Sequence, residues 1–401
     1  MLKNPQLCYH FHMRMVLCLW ILAFCAASQE DWAELRQQAS TLVSQGRYAD
    51  ALPLLQRVLD SQEKSLGADD PSLAPVIDSL AAVYRAQGRN PDAEQLYTRS
   101  LAIKEKAAGP DSAELIANLK PLAGLYVARA AYVDAEKALL RVIRIREKAK
   151  GFDDPDVAND CAALAAFYID RKRYAVAEPN LKRAVLIIER RLGPQDSALV
   201  PVLDPLAAIY IQQKVFDLAE APLRHIISIQ EGLYGPTHQN VATYLDKLAQ
   251  SFYLQKRYAE AEPLYRRSLP IWESVLGADS PELATTLDNL AVVLAAQDKF
   301  AEAEPYYRRS LALRSKSEVQ SLNNYALVLE GKGDLAGAET QFKRALQLAE
   351  RIPALPRAQS VGEGALLDTT LRSYAALLRE LKRDAEAVKL EERAKGLKVE
   401  K

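Results

Sequence analysis

The sequence predicts an all-α fold, a stacked solenoid of about nine helix-turn-helix units, and three observations predict it. An alanine recurs at Ala51, Ala93, Ala135, Ala177, Ala219, Ala261 and Ala303, each 42 residues after the last, and then at Ala338 and Ala387. A glycine keeps the same step at Gly67, Gly109, Gly151, Gly193, Gly235 and Gly277. Between these marks the apolar residues fall three and four apart, the helical spacing, and not two apart as in a strand. A fixed period of this length is the signature of repeats that bury their apolar faces against one another.

The first helix of each unit carries a Leu-Ala pair followed one turn later by an aromatic residue. Leu80-Ala81 with Tyr84, Leu122-Ala123 with Tyr126, Leu164-Ala165 with Tyr168, Leu206-Ala207 with Tyr210 and Leu248-Ala249 with Phe252 form the series. In the seventh unit, Leu290-Ala291 keeps the pair while Leu294 replaces the ring. Residues four apart share a helix face, so leucine and ring fill the seam while alanine admits the partner helix. Second helices begin near Tyr48, Asn90, Tyr132, Tyr174, Phe216, Tyr258 and Phe300. Their apolar stripe runs through the periodic alanine to Leu55, Tyr97, Leu139, Leu181, Leu223, Tyr265 and Tyr307, then to Leu59, Leu101, Ile143, Val185, Ile227, Leu269 and Leu311.

The periodic glycines end the second helices, since glycine takes the left-handed cap without steric cost. Pro71, Pro110, Pro155, Pro194 and Pro236 then order the turn into the next unit. The predicted units lie near residues 32–72, 73–112, 113–156, 157–198, 199–240, 241–282, 283–317, 318–350 and 366–397, forming one domain over 32–397. The step shortens to 35 between Ala303 and Ala338, at the end of a second helix. It lengthens to 49 before Ala387, where residues 351–364 hold Pro353, Pro356, Gly362 and Gly364 and are expected to form a loop. Pro205 falls within a first helix that is expected to start near Val200. In the last unit Glu391 stands where a leucine or tyrosine is expected, and the tail after it is highly charged, as suits a solvated end.

These residues resemble the tetratricopeptide solenoids of the kinesin-light-chain type, whose units are 42 residues long with an extended second helix. The segment from Leu287 to Leu313, LDNLAVVLAAQDKFAEAEPYYRRSLAL, carries the resemblance best. It covers roughly residues 32–390. The resemblance implies a right-handed superhelix whose first helices line a concave groove, and a protein or peptide partner lying in that groove. The positions before each Leu-Ala pair then face partly into it: Asp78, Lys120, Ala163, Asp204, Asp246 with Lys247, Asp288 with Asn289, and Asn323 with Asn324. Kinesin light chains keep asparagine there, where its amide can hold an extended peptide backbone, and this chain matches at Asn289, Asn323 and Asn324. Further along the same helices Arg85, Asp170, Gln212, Gln250 and Tyr253 complete a mixed polar groove. Tyr253 reads equally as a partner anchor and as packing against the neighbouring unit.

The amino terminus differs. Met15 to Ala27 reads MVLCLWILAFCAA, preceded by Arg14, with the first acid at Glu30. An apolar run of about a dozen residues suits a signal-peptide core better than a membrane span. Residues 1–27 are therefore expected to be a signal peptide, and the protein to be exported, periplasmic or secreted. Leu22-Ala23-Phe24-Cys25 resembles a lipobox, which would lipidate Cys25 and anchor the chain as an outer-membrane lipoprotein. If the leader does not function, the protein is cytoplasmic and the run is a buried first helix.

The 52 basic residues balance the 52 acidic ones, so no global field attracts nucleic acid or anionic lipid. A membrane role is expected only through an anchor at Cys25. The arginine doublets Arg190-Arg191, Arg266-Arg267 and Arg308-Arg309 read as solvated surface, and His225 occupies the place that Arg267 takes one unit later. Cys161 is expected to be a small buried packing residue. No His-Glu-x-x-His, paired Cys-x-x-Cys, glycine-rich phosphate loop or Gly-x-Ser-x-Gly elbow occurs, so no enzyme activity, cofactor or metal is expected. The leading function is a non-catalytic protein-interaction scaffold. The alternative is a structural or envelope-assembly protein acting through its outer faces or by self-association.

Overall fold

The computed structural model describes residues 32–313, 319–351 and 361–397. Among them lie nine antiparallel helix pairs and no strand. The pairs are α1 (32–44) with α2 (Tyr48–Leu66), α3 (Ala74–Ala86) with α4 (Asn90–Ala108), α5 (Ile116–Ala128) with α6 (Tyr132–Lys150), and α7 (Pro155–Ile169) with α8 (Tyr174–Arg191). They continue as α9 (Val200–Gln212) with α10 (Phe216–Tyr234), α11 (Gln239–Leu254) with α12 (Tyr258–Leu276), and α13 (Leu283–Ala295) with α14 (Phe300–Leu313). The last two are α15 (Val319–Gly331) with α16 (Leu335–Arg351) and α17 (Val361–Glu380) with α18 (Asp384–Gly396). The helices group into two compact units that divide between Arg191 and Leu192.

The periodic alanine is sealed from solvent in every pair. Ala51, Ala93, Ala135, Ala177, Ala219, Ala261, Ala303, Ala338 and Ala387 are all 0% exposed. A larger side chain there would push the helices apart or force strained rotamers. The Leu-Ala pairs are buried throughout, and Phe252, Tyr265 and Tyr307 are the largest side chains sealed between helices. Each fully buried leucine contributes about 1.5–3 kcal/mol, and the stripe delivers several per unit.

The turns show why the period holds. Gly235, at the end of α10, has φ +87°, which only glycine adopts cheaply. Three residues after each such glycine, a side chain caps the next element: Asp70, Ser112 and Asp154 in the first unit, and Asp196, His238 and Ser280 in the second. Inside the pairs, the tight turn puts Lys172, Lys256 and Asp298 at positive φ, where other pairs use Gly46 and Gly88.

Several expectations are corrected. Arg267 and Arg309 are not merely solvated. Arg267 reaches Glu231 on the preceding second helix at 2.5 Å, Arg309 pairs with Glu273, and Arg99 and Arg183 reach Glu63 and Glu147 at 2.5 Å. Arg99 and Arg309 also donate to carbonyls in the inter-pair turns, at Ala68 and Ala278. His225 takes the same place, with Nε2 2.5 Å from the Pro194 carbonyl. Arg190 does stay exposed, 3.9 Å from Asp153.

The loop expected over 351–364 ends sooner, because α17 is already helical at Val361 and includes Gly362 and Gly364. Residues 352–360, like the leader and Cys25, lie outside the described residues. The helix carrying Pro205 starts at Val200, as expected. Glu391 is held by Arg379, with two contacts of 2.9 Å. Cys161 is buried, which pushes its thiol up to about 11.

Candidate partner-binding face on the first helices

The first helices expose one face of each pair, and the two units furnish it differently. In the first unit the polar residues are tied to one another. Asp78 on α3 accepts from Lys104 at 2.6 Å and from the Asn118 amide at 2.6 Å, while Lys104 also donates to Asn118 at 2.7 Å. One repeat on, Lys120 lies 2.7 Å from Asp160, and Arg146 donates to Asp160 at 2.5 Å and to Asp156 at 2.9 Å. Asp160 is 3% exposed, so its charge is admissible only because two cations meet it. Arg85 and Asp170 lie on the surface at the far ends of α3 and α7.

Sequence reading found Asp78 and Lys120 but missed Lys104, Asn118, Arg146 and Asp160. The signal was present: Lys104 and Arg146 are one 42-residue step apart, as are Asn118 and Asp160.

In the second unit, Lys247 on α11 reaches Asp204 on α9 at 2.6 Å and covers the Tyr244 ring at 4.7 Å. Asp246 accepts from the Trp272 indole at 2.8 Å and from Ser268. Burial raises its pKa, outweighing the two hydrogen bonds that lower it. Asp288 accepts from Ser321. Gln212 and Gln250 are exposed and Asn289 is half-buried.

Asn323 does not belong to this face. It is 2% exposed and donates its amide to Thr370 of α17 at 2.7 Å, so it joins two first helices to each other. The difference from Asn324, one residue on, is the 100° turn of the helix. Asn324 is half-buried and accepts from Gln320 at 2.9 Å.

The structure brings Tyr253 and Asn324 to one place. Both line a cavity of about 330 Å³ with Val292, Ala295, Phe300, Tyr307, Gln320, Leu327 and Val328. Tyr253 lines the cavity, and its ring lies 5.7 Å from that of Tyr258 within the same helix pair. Burial raises the phenols of Tyr253 and Tyr307, so both remain neutral hydrogen-bonding groups. Leu327 is 47% exposed at the rim. The lining is apolar and aromatic with neutral polar groups and no ionised side chain, which suits an uncharged side chain with a peptide backbone beside it. Among the described residues no cluster of three or more His, Cys, Asp or Glu side chains could hold a metal ion. No described helix is long and apolar enough to cross a membrane.

Comparison with known proteins bears on the same residues. A tetratricopeptide repeat model matches residues 31–106, 74–148, 197–274 and 247–316, and two further models of that description match 289–353 and 161–198. No curated protein matches the chain. Among solved structures it is similar to the apo form of RapI, at 14% identity over 91% of this chain and 97% of that one, with a TM-score of 0.54. It is also similar to a kinesin light chain protein of Podosopora anserina with nearly identical repeats, at 23% identity over 50% of this chain and 96% of that one, with a TM-score of 0.45. BtubC of P. vanneervenii matches at 19% identity over 57% of this chain and 91% of that one, with a TM-score of 0.45. The family models cover more than half of the sequence, so the chain belongs to the tetratricopeptide repeat proteins.

Proposed function

We propose that this protein is a non-catalytic interaction scaffold that holds an extended segment of a partner protein along its first helices. One bulky apolar side chain of that segment seats among Tyr253, Phe300, Tyr307 and Leu327. The observation that carries the reading is the cavity itself: it is lined mostly by first-helix residues, with apolar and neutral polar groups. Burying one leucine or phenylalanine side chain there contributes about 1.5–3 kcal/mol. The amides of Asn324 and Gln320 can both donate and accept, which matches a peptide backbone. Asp78, Lys120, Asp204 and Lys247 already satisfy one another or a neighbour, so they shape the face more than they select a charged partner. Export of the chain, read from residues 1–27, is a separate part of the proposal, and amino-terminal sequencing of the mature protein tests it.

A photoreactive residue placed at Leu327 should crosslink a bound partner, and the crosslink should disappear in Asn324→Ala. The same probe at Tyr306, which lines a different surface of α14 with Glu302, Pro305 and Arg309, should capture nothing that depends on Asn324. Crosslinking from Tyr306 alone would shift the interaction to the outer helices and favour the assembly role.

A further inference from the structure

The six capping positions between helix pairs fall 42 residues apart, and five of them are Asp or Ser: Asp70, Ser112, Asp154, Asp196 and Ser280. Each presents a side-chain oxygen to the backbone N–H two residues on. The sixth is His238. Its backbone has the same extended conformation (φ −80°, ψ 146°), and its Nδ1 accepts from the Asn240 N–H at 3.2 Å. The imidazole is held in that orientation by the Tyr234 ring, stacked on it at 4.6 Å with 23° between the planes.

An oxygen cap keeps its lone pairs at any pH near neutrality. An imidazole nitrogen keeps its lone pair only while it is unprotonated, and imidazole is the side chain that ordinarily gains a proton between pH 5 and 8. A proton on Nδ1 turns the acceptor into a donor facing another donor. It also sets a positive charge at a helix N-terminus, where the macrodipole repels it. Rotating the ring about its axis offers the Asn240 N–H only carbon or a second N–H.

We infer that His238 is a proton-operated cap, so that the first turn of α11 is closed near neutral pH and released in mildly acidic solution. On α10 the Tyr234 ring stacks on the imidazole, and Glu231 is engaged by Arg267 of α12. Arg267 also approaches the Pro236 carbonyl in the same turn. On α11 the Asn240 amide donates to Gln230 at 3.0 Å, tying the released turn to α10. Among the described residues no acid hydrogen-bonds the imidazole to stabilise its charged form. The helix so controlled carries Asp246, Lys247, Gln250 and Tyr253, although the inference stands on the capping geometry and not on any partner.

Hydrogen exchange of the full chain, followed by mass spectrometry and normalised for intrinsic rates, tests it. A peptide over residues 236–245 should lose protection by about fivefold between pH 8 and pH 5.5, the worth of one cap. The serine-capped turn around Ser280 should not change, and it serves as a control within the same molecule. His238→Asn supplies a cap that does not titrate, and should flatten the pH dependence at 236–245. Constant protection in the wild type would overturn the inference, and so would an unchanged loss in His238→Asn.

Discussion

Arg267 of α12 lies 2.5 Å from Glu231 of α10, spanning two consecutive second helices. The same arginine and glutamate recur one repeat later at Arg309 and Glu273. Both partners of the Arg267 pair are partly exposed, at 41% and 32%, so solvent screens much of the attraction. Arg267→Ala should therefore destabilise the protein by about 0.5–1 kcal/mol. Arg190→Ala, at an arginine 3.9 Å from its acid, should leave the thermal midpoint unchanged. Equal losses in the two variants would show that the recurring pairs add nothing beyond ordinary surface charge.

Two asparagines that read alike in the sequence, Asn323 of α15 and Asn289 of α13, should separate cleanly. Asn323→Ala removes a buried hydrogen bond between α15 and α17 and leaves the Thr370 hydroxyl only its bond to the Leu366 carbonyl. A loss of about 1–3 kcal/mol in urea unfolding follows. Asn289→Ala, at a half-buried position of α13, should cost less than about 0.5 kcal/mol. A mild Asn323 variant would mean that water or another side chain replaces the lost partner.

Glu339 of α16 receives Lys343, the Arg383 guanidinium and the Tyr374 hydroxyl, and these hold its carboxyl down at about 2, with the Lys343 bond the largest influence. A depressed carboxylate stabilises the fold above its ordinary range, and that stability is lost as pH falls towards the folded value. Glu339→Gln should lower stability at pH 7 by on the order of 2 kcal/mol, discounted because Lys343 is exposed. The gap from wild type should close between about pH 4.5 and pH 2. A gap independent of pH would assign the loss to packing.

Pro205 sits inside α9, where it has no N–H to donate and its ring crowds the Pro201 carbonyl. Pro205→Ala restores the donor but frees the unfolded chain. Calorimetry should find the variant between unchanged and about 1 kcal/mol more stable. A large loss would show that packing of Leu206 and Ala207 depends on the proline.

The backbone was legible because each unit must repeat the same three solutions: a small residue at the closest approach, a ring or leucine in the seam, and a glycine at the end. Ala219, Phe252 and Gly235 show these in the sequence as plainly as in the structure. The face was less legible because one helical turn decides between surface and seam. Asn323 and Asn324 read alike, yet one is buried against Thr370 and the other lines the cavity. Phe300, read as the start of a second helix, and Tyr307, read as a stripe residue, turn out to line the cavity as well. Asp160 and Arg146 were missed because polar residues are expected outside, and only a second pass at the 42-residue step pairs them with Asn118 and Lys104.

Binding of a partner on the first helices at the proposed Tyr253–Asn324 site is read from the affinity of one selected peptide ligand for two double variants of the full chain. Tyr253→Ala with Asn324→Ala removes an aromatic wall and a backbone-holding amide, and should weaken binding by at least about tenfold. Arg266→Ala with Arg267→Ala, on the outer face of α12, should leave the dissociation constant within about twofold, since rim and remote charges contribute little affinity. Loss of binding in the arginine variant with full affinity in the cavity variant would contradict the account and move the interaction to the second helices.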